Sequence, residues 1–170
     1  MKKLMQAVLA TILLSSLLFG GPASTASAKE LKILEFDTMV GVPTGLTGTQ
    51  SQASLRGISG GGLPWTIGSA KGELSISGHL EITVQGLVFA AGPNVGRNTV
   101  TSFRAIVSCV TGNGSVQNIL TDAFPATTGL ASEGGGDAKI ETDVSLPQPC
   151  IAPIVFVTSP GGAWFAATGF

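Results

Sequence analysis

The sequence predicts an all-β fold, an antiparallel β-sandwich of about eight or nine strands, with a β-barrel as the alternative. Residues 73–84 (ELSISGHLEITV) alternate apolar and polar side chains with a period of two, the period of a half-buried strand. Similar runs recur at short spacing between Gly- and Pro-rich turns, and no segment shows a helical period. The 24 glycines and the charged fraction of 11% also suit turns and strands better than surface helices.

Residues 73–84 are predicted to form one long central strand. Every apolar side chain in this run has an even number, and Gly78 is the single gap. The odd-numbered side chains are polar and should face water. This face carries His79, the only histidine of the chain, two residues before Glu81.

The first 28 residues read as a secretory signal peptide. Lys2 and Lys3 precede a largely apolar run over 4–19, and Ala26-Ser27-Ala28 offers a cleavage site. A retained membrane anchor is the alternative, although the apolar run is short for a span of ~20 residues. Cleavage would leave one domain of 142 residues, 29–170, secreted to the exterior or the cell envelope and free of the membrane.

The mature charge argues against nucleic acid as a partner. Seven basic residues stand against ten acidic ones, a net charge of −3. The arginines Arg56, Arg97 and Arg104 are scattered rather than arranged as a stripe. Binding to nucleic acid or to an anionic membrane therefore lacks its electrostatic driving force.

Two cysteines, Cys109 and Cys150, fall in the mature part. An even count in an exported chain predicts one disulfide, which would close a loop of about 40 residues and stabilise the fold by about 4 kcal/mol. Two buried free thiols are the alternative. A metal site is less favoured because the chain has no CxxC motif and one histidine.

Turn signals divide the chain into its predicted strands. Gly86 interrupts the alternation before 87–89 and indicates a bulge, whereas Gly112-Asn113-Gly114 predicts a hairpin. The nearly continuous apolar run over 151–157 indicates a central strand covered on both faces. In order, the predicted strands cover 31–36, 38–42, 55–59, 73–84 with 87–89, 100–110, 116–122, 138–146, 151–157 and 163–170.

His79 and Glu81 are the leading candidates for chemistry. At positions i and i+2 of one strand face they would stand about 7 Å apart, close enough to share a proton or a cation. A solvated polar face is the simpler interpretation, since a catalytic histidine normally needs a positioned nucleophile and an enclosed pocket.

A second pattern, Gly57-Ile58-Ser59-Gly60-Gly61, matches G-x-S-x-G, and Glu73 and His79 follow it in the order of a hydrolase triad. That motif works on a strand–turn–helix elbow. Here Gly62-Leu63-Pro64 follows instead of a helix, so Ser59 is not predicted to be a nucleophile.

Two further candidates carry equally plain structural interpretations. Residues 133–137 (EGGGD), with Glu141 and Asp143 nearby, offer Ca²⁺ ligands but do not match the spacing of an EF-hand loop, so a flexible acidic turn is favoured. Trp65 and Trp164 offer rings for stacking on a sugar, although core packing is their usual role. The candidate ligand surface is accordingly Trp65, His79 and Glu81.

Four stretches resemble a set of small exported bacterial proteins with no assigned activity. They are 36–42 (FDTMVGV), 56–65 (RGISGGGLPW), 103–109 (FRAIVSC) and the region from 149 to 169. The resemblance covers the mature chain. It implies a single-domain exported protein and carries no catalytic residues to transfer.

Two functions are consistent with these residues. The first is a non-enzymatic extracellular or envelope module, structural or binding a small molecule, glycan or protein, without a cofactor, a metal or catalytic residues. The alternative is a small hydrolase or metal-dependent enzyme centred on His79 and Glu81. The sequence does not indicate an oligomeric state.

Overall fold

The computed structural model describes residues 30–47 and 54–169, and these form the predicted antiparallel β-sandwich. Strands account for 52% of the described residues, no α-helix occurs among them, and the sheets do not close into a barrel. The predicted signal peptide, 1–28, lies outside the described residues.

Eight strands have four or more residues, in agreement with the predicted eight or nine, and shorter ones join them. The strands are β1 (Lys32–Phe36), β2 (Val40–Gly41), β3 (Ser54–Leu55), β4 (Ile58–Ser59), β5 (Trp65–Thr66), β6 (Ser69–Ser75), β7 (His79–Gln85), β8 (Val88–Phe89), β9 (Arg97–Asn98), β10 (Ser102–Val110), β11 (Val116–Leu120), β12 (Phe124–Pro125), β13 (Gly129–Leu130), β14 (Ala138–Asp143), β15 (Ile151–Thr158) and β16 (Trp164–Ala167).

Two sheets make up the sandwich. The four-stranded sheet has the order β1-β6-β7-β14, and the six-stranded sheet has the order β11-β10-β15-β16-β2 with β12 also beside β10. Every strand pair within them is antiparallel. Three two-stranded ribbons, β3-β4, β5-β8 and β9-β13, connect and cover the sheets.

Residues 73–84 form a hairpin rather than the predicted single strand. The chain turns after β6 ends at Ser75 and before β7 begins at His79. Leu74 lies directly opposite Leu80, so an odd number of residues separates the two partners. Opposed residues point to the same face of a sheet, and an odd-length loop keeps the even-numbered side chains on that face in both strands. The period of two therefore continues through the turn and conceals it.

Gly78 makes this hairpin possible. Its φ of +101° belongs to a region that L side chains rarely adopt. Its amide donates to the Ser75 carbonyl, and its carbonyl accepts from the amide of Val144, just beyond β14. A Cβ at this position would collide with the Val144 carbonyl oxygen. The gap in the apolar pattern is thus the turn residue.

The main core lies between the two sheets. The four-stranded sheet contributes its even-numbered side chains, and the six-stranded sheet contributes the odd-numbered side chains of β10 and β15. A ring stack of Trp65 on Phe165, with centroids 3.9 Å apart, closes one region of this core. Fully buried core side chains include Leu74, Leu80, Ile82, Ile140, Phe103, Val107 and Val155.

The six-stranded sheet is also buried on its other face. Ile106, Phe156 and Trp164 point away from the main core, yet each is at most 3% exposed. The predicted strand over 55–59 is instead the hairpin β3–β4, which lies against this face. Its turn residue Arg56 donates from Nη2 to the carbonyl of Ala152, at 2.9 Å. Burial on both faces explains the apolar side chains of Val155, Phe156 and Val157 and confirms the central position of β15, whereas Ile151 and Ala152 at its start are exposed.

The predicted disulfide between Cys109 and Cys150 is present. Cys109 is fully buried in β10, and Cys150 immediately precedes β15. β10 and β15 are neighbours in the six-stranded sheet, so the bridge links paired central strands within one sheet.

Substituting Gly78→Ala should destabilise the fold by about 3 kcal/mol, because the new Cβ meets a backbone oxygen at a strained φ. Chemical denaturation measures the change. Gly62→Ala is the matched control, because Gly62 has open space around it and no positive φ. Equal midpoints for the two variants would contradict the role assigned to Gly78.

Replacing both cysteines by alanine should lower the free energy of unfolding by about 4 kcal/mol, since the bridge closes a loop of 41 residues. Denaturation of the oxidised protein and of the Cys109→Ala/Cys150→Ala variant gives this difference. Addition of a reductant should then affect the wild-type protein and leave the variant unchanged.

Candidate functional site

The outer face of the four-stranded sheet carries eight of the 16 Asp, Glu, Lys and Arg residues that the structure describes, and we call it the charged face. Its side chains come from the odd-numbered positions of β6, β7 and β14, together with the polar residues of β1. The charged face comprises Lys32, Glu35, Lys71, Glu73, His79, Glu81, Thr83, Lys139, Glu141 and Asp143.

Four glutamates stand in one row across this sheet, and we call the row the glutamate ladder. Glu35 lies opposite Glu73, Glu73 opposite Glu81, and Glu81 opposite Glu141, so each of the four strands contributes one member. The Cβ atoms of opposed residues are about 5 Å apart. Like charges placed directly opposite destabilise a sheet, so the ladder opposes folding unless cations compensate it.

Two lysines compensate the outer pairs of the ladder. Lys32 bonds both Glu35 and Glu73, which raises the pKa of its ammonium group, with Glu35 as the larger cause. Lys139 bonds Glu141 at 2.8 Å and Glu81 at 3.4 Å. In return, Lys139 lowers the pKa of the Glu141 carboxyl group.

The central pair, Glu73 and Glu81, has no bridging cation of its own. Each carboxylate is held by a lysine on its outer side. Lys71, on the same face, makes no ion pair with a described residue. Glu73 and Glu81 are therefore direct neighbours at the middle of the row, and no described lysine bonds both of them.

His79 is the first residue of β7 and lies on the charged face two residues before Glu81. Its Nδ1 is 2.9 Å from Oδ1 of Asp143, the residue opposite it in β14. The hydrogen bond with Asp143 is the main cause that raises the pKa of His79 above 6.5. Both side chains are open to water, at 38% and 85% exposure.

Hydroxyl groups surround this turn but do not engage the imidazole ring. The Oγ atoms of Ser75 and Ser77 are 2.9 Å apart, and Ser75 Oγ accepts the backbone N–H of His79. Ser77 also donates to Glu30, which lowers the pKa of that carboxyl group. The described contacts thus form a His–Asp pair without a hydroxyl bonded to the ring.

An open depression of about 730 Å³ lies beside the ladder on β1, β6 and β7. Four of its eight lining residues are acidic, and the others are Phe36, Lys71, Gly72 and Thr83. Glu35, Glu73 and Glu81 belong both to the ladder and to this depression. With Glu30 and Asp37, seven acidic residues surround three lysines here, a net charge of −4 with His79 neutral.

The structure separates the three residues of the predicted ligand surface. Trp65 is 4% exposed and packs between Phe165 and Phe89 in the core, so its ring offers no exposed platform. His79 and Glu81 share the charged face. Trp164 is fully buried against Phe156, which leaves both tryptophans in packing roles.

The other sequence candidates take structural positions. Ser59 of the G-x-S-x-G pattern lies in the two-residue strand β4, opposite Ser54, rather than on an elbow. Asp137 accepts the backbone N–H of Gly86 at 2.8 Å. Among residues 30–47 and 54–169, no group of three or more His, Cys, Asp or Glu side chains is placed to hold a metal ion.

The sequence shows the members of the glutamate ladder but does not predict their alignment. Glu73, Glu81 and Glu141 each read correctly as an outward residue of its own strand. Their alignment depends on the register of three strand pairs. It also depends on the hairpin within 73–84, which the period of two conceals. Only with that hairpin do Glu73 and Glu81 become direct neighbours.

Comparison with known proteins gives no relative from which to transfer a function. No protein-family model matches the chain, and neither the curated proteins nor the solved structures yield a match. The described residues include no helix of the length and apolarity that a membrane crossing requires.

Substituting Asp143→Asn should lower the melting temperature near pH 5.5 and leave it unchanged near pH 8.5. The raised pKa of His79 means that its bond with Asp143 stabilises the fold below about pH 6.5, and that this stability is lost as pH rises through the folded-state value. Thermal melts at both pH values measure the effect.

Asp122→Asn is the matched control, because Asp122 is an exposed carboxylate outside the charged face. A pH-independent difference between wild type and Asp143→Asn would contradict the assigned pairing.

Proposed function

We propose that this protein is an exported, non-enzymatic binding module whose charged face binds a basic peptide segment of a partner. The observation that carries the proposal is the glutamate ladder, with all four strands contributing a carboxylate in register. Such a row opposes folding, and departures from stable patterning are typical of functional sites.

The spacing of the ladder suits an extended chain. Three intervals between adjacent strands span about 14 Å. In an extended peptide, side chains on one face recur at about 6.8 Å, so three alternate basic residues cover about the same distance. A peptide lying across the strands would thus bring its cations over successive carboxylates.

The depression and the charge balance support the same partner. The depression gives room for side chains at Glu73 and Glu81, where no described cation bridges the two carboxylates. A net charge of −4 on one face attracts cationic groups and accelerates their encounter. The cation of a bound peptide would relieve the repulsion that the free protein carries.

Export is supported by two features of the chain. The leader has the pattern of a signal peptide, the mature residues contain a disulfide, and such bridges persist in oxidising compartments outside the cytosol. The partner is therefore expected outside the cell or in the envelope.

A deca-lysine peptide should bind the protein at about 20 mM salt, with an affinity that falls as salt rises. The double variant Glu73→Gln/Glu81→Gln should bind at least about fivefold more weakly, because it removes the central carboxylates. Its melting temperature at low salt should equal or exceed that of the wild type, since all three like-charge contacts of the ladder are lost. Isothermal titration calorimetry and thermal melts provide both measurements.

Asp122→Asn/Glu133→Gln is the control for this variant. It changes the net charge by the same amount at two exposed residues away from the charged face. The proposal requires the control to bind like the wild type. Equal weakening of both double variants would indicate general charge attraction, and absence of binding by the wild type would exclude a basic ligand.

A small hydrolase or metal-dependent enzyme centred on His79 and Glu81 is the second candidate. The contact of Nδ1 of His79 with Asp143 favours it, since a carboxylate orients a catalytic imidazole in this way. The exposure of the pair and the separate bonding of Ser75 and Ser77 favour the binding module.

The two candidates differ in a direct assay. If the protein is a hydrolase, it should hydrolyse p-nitrophenyl acetate. The His79→Ala variant should lose this activity while its melting temperature stays close to that of the wild type. The metal-dependent form also predicts a higher melting temperature with Ca²⁺ or Zn²⁺, because a ligand of the native state must stabilise it. The binding module predicts neither result.

A further inference from the structure

The strand β11 is an unprotected edge of the six-stranded sheet. It pairs with β10 on one side, and no described residue pairs with it on the other. Its sequence, VQNIL, has no charge, and Val116 and Leu120 are 46% and 50% exposed. A row of free backbone groups with apolar side chains is a template for pairing with another chain.

The backbone hydrogen bonds between β10 and β11 determine which backbone groups of β11 are free. Thr111 donates to the Ser115 carbonyl, and Thr121 donates to the Ala105 carbonyl. Hydrogen bonds alternate along an antiparallel strand, so the odd-numbered residues of β11 bond to β10. The N–H and C=O groups of Val116, Asn118 and Leu120 consequently point out of the sheet.

The other edges of the two sheets are protected. β1 carries Lys32 and Glu35, and β14 carries Lys139, Glu141 and Asp143. β2, at the far edge of the six-stranded sheet, has two residues. Charges and short length are the usual means of preventing edge-to-edge pairing, and in the described part of the chain β11 has neither.

We propose that β11 pairs antiparallel with β11 of a second copy of this chain and forms a homodimer. A two-fold axis at Asn118 places Val116 opposite Leu120 of the second copy and Asn118 opposite its own equivalent. All three residues present outward backbone groups, so each opposed pair exchanges two hydrogen bonds. The two six-stranded sheets become continuous across the dimer.

The side chains on this edge fit the arrangement. Val116 of each copy packs against Leu120 of the other, which gives one such contact on each side of the axis, and no like charges meet. The side chain of Asn118 is held on the outer face by its bond to the Arg56 carbonyl, at 3.0 Å. The contact is smaller than a standard interface, so we expect a dissociation constant on the order of 10–100 μM.

Sedimentation analysis of the purified protein between about 5 and 500 μM tests the proposal. Wild type should pass from monomer to dimer, independently of salt because the strand is uncharged. The variants Val116→Lys/Leu120→Lys and Val116→Glu/Leu120→Glu should each stay monomeric, because like charges become opposed. An equimolar mixture of the two should dimerise again, since each lysine then faces a glutamate.

Leu31→Lys/Val95→Lys is the matched control, as it changes two exposed apolar residues outside the six-stranded sheet by the same charge. It should dimerise like the wild type, and thermal melts should show that all variants fold. A monomeric wild type at the highest concentration, a dimer unaffected by charges in β11, or a control that alone loses the dimer would each overturn the proposal.

Discussion

The pairing of β10 with β15 is the interaction on which the rest of this structure depends. These two strands lie at the centre of the six-stranded sheet, and the Cys109–Cys150 bridge joins them. The pairing directs Phe103 and Val107 toward the main core, and Ile106 and Phe156 toward the outer layer. Because both sets are apolar, the sheet must be covered on both faces. The four-stranded sheet covers one face and the β3–β4 hairpin lies against the other.

This double coverage explains where the charges lie. One face of the six-stranded sheet packs on the main core and the other is buried beneath the hairpin, so its central strands offer little room for ionised groups. The outer face of the four-stranded sheet is open to water and holds seven of the ten acidic residues at or around it. The concentration of charge there follows from the layering. Alignment of four carboxylates in one row adds a cost that layering does not require, and this cost is the reason for proposing the charged face as a binding surface.

The charged face and the β11 edge are proposed for two different contacts. On the charged face, lysines and glutamates protect β1 and β14 from pairing edge to edge with other chains, and the same side chains form the surface proposed for a basic partner. At β11 the same protection is missing, and the exposed groups are backbone amides and apolar side chains. The charged face and the β11 edge belong to different sheets. The proposed dimerisation through β11 therefore leaves the charged face accessible.

The fold class, the disulfide and the central position of β15 can be predicted from the sequence, because they depend on local period, cysteine count and composition. The hairpin at Gly112-Asn113-Gly114 can be predicted from its turn residues. The turn within residues 73–84 is visible only in the folded chain, since an odd-length loop leaves the period of two intact. The same limit applies to function: an outward Glu73 or Glu81 is visible in its own strand, but the ladder exists only in the register between strands, which no single stretch of sequence encodes.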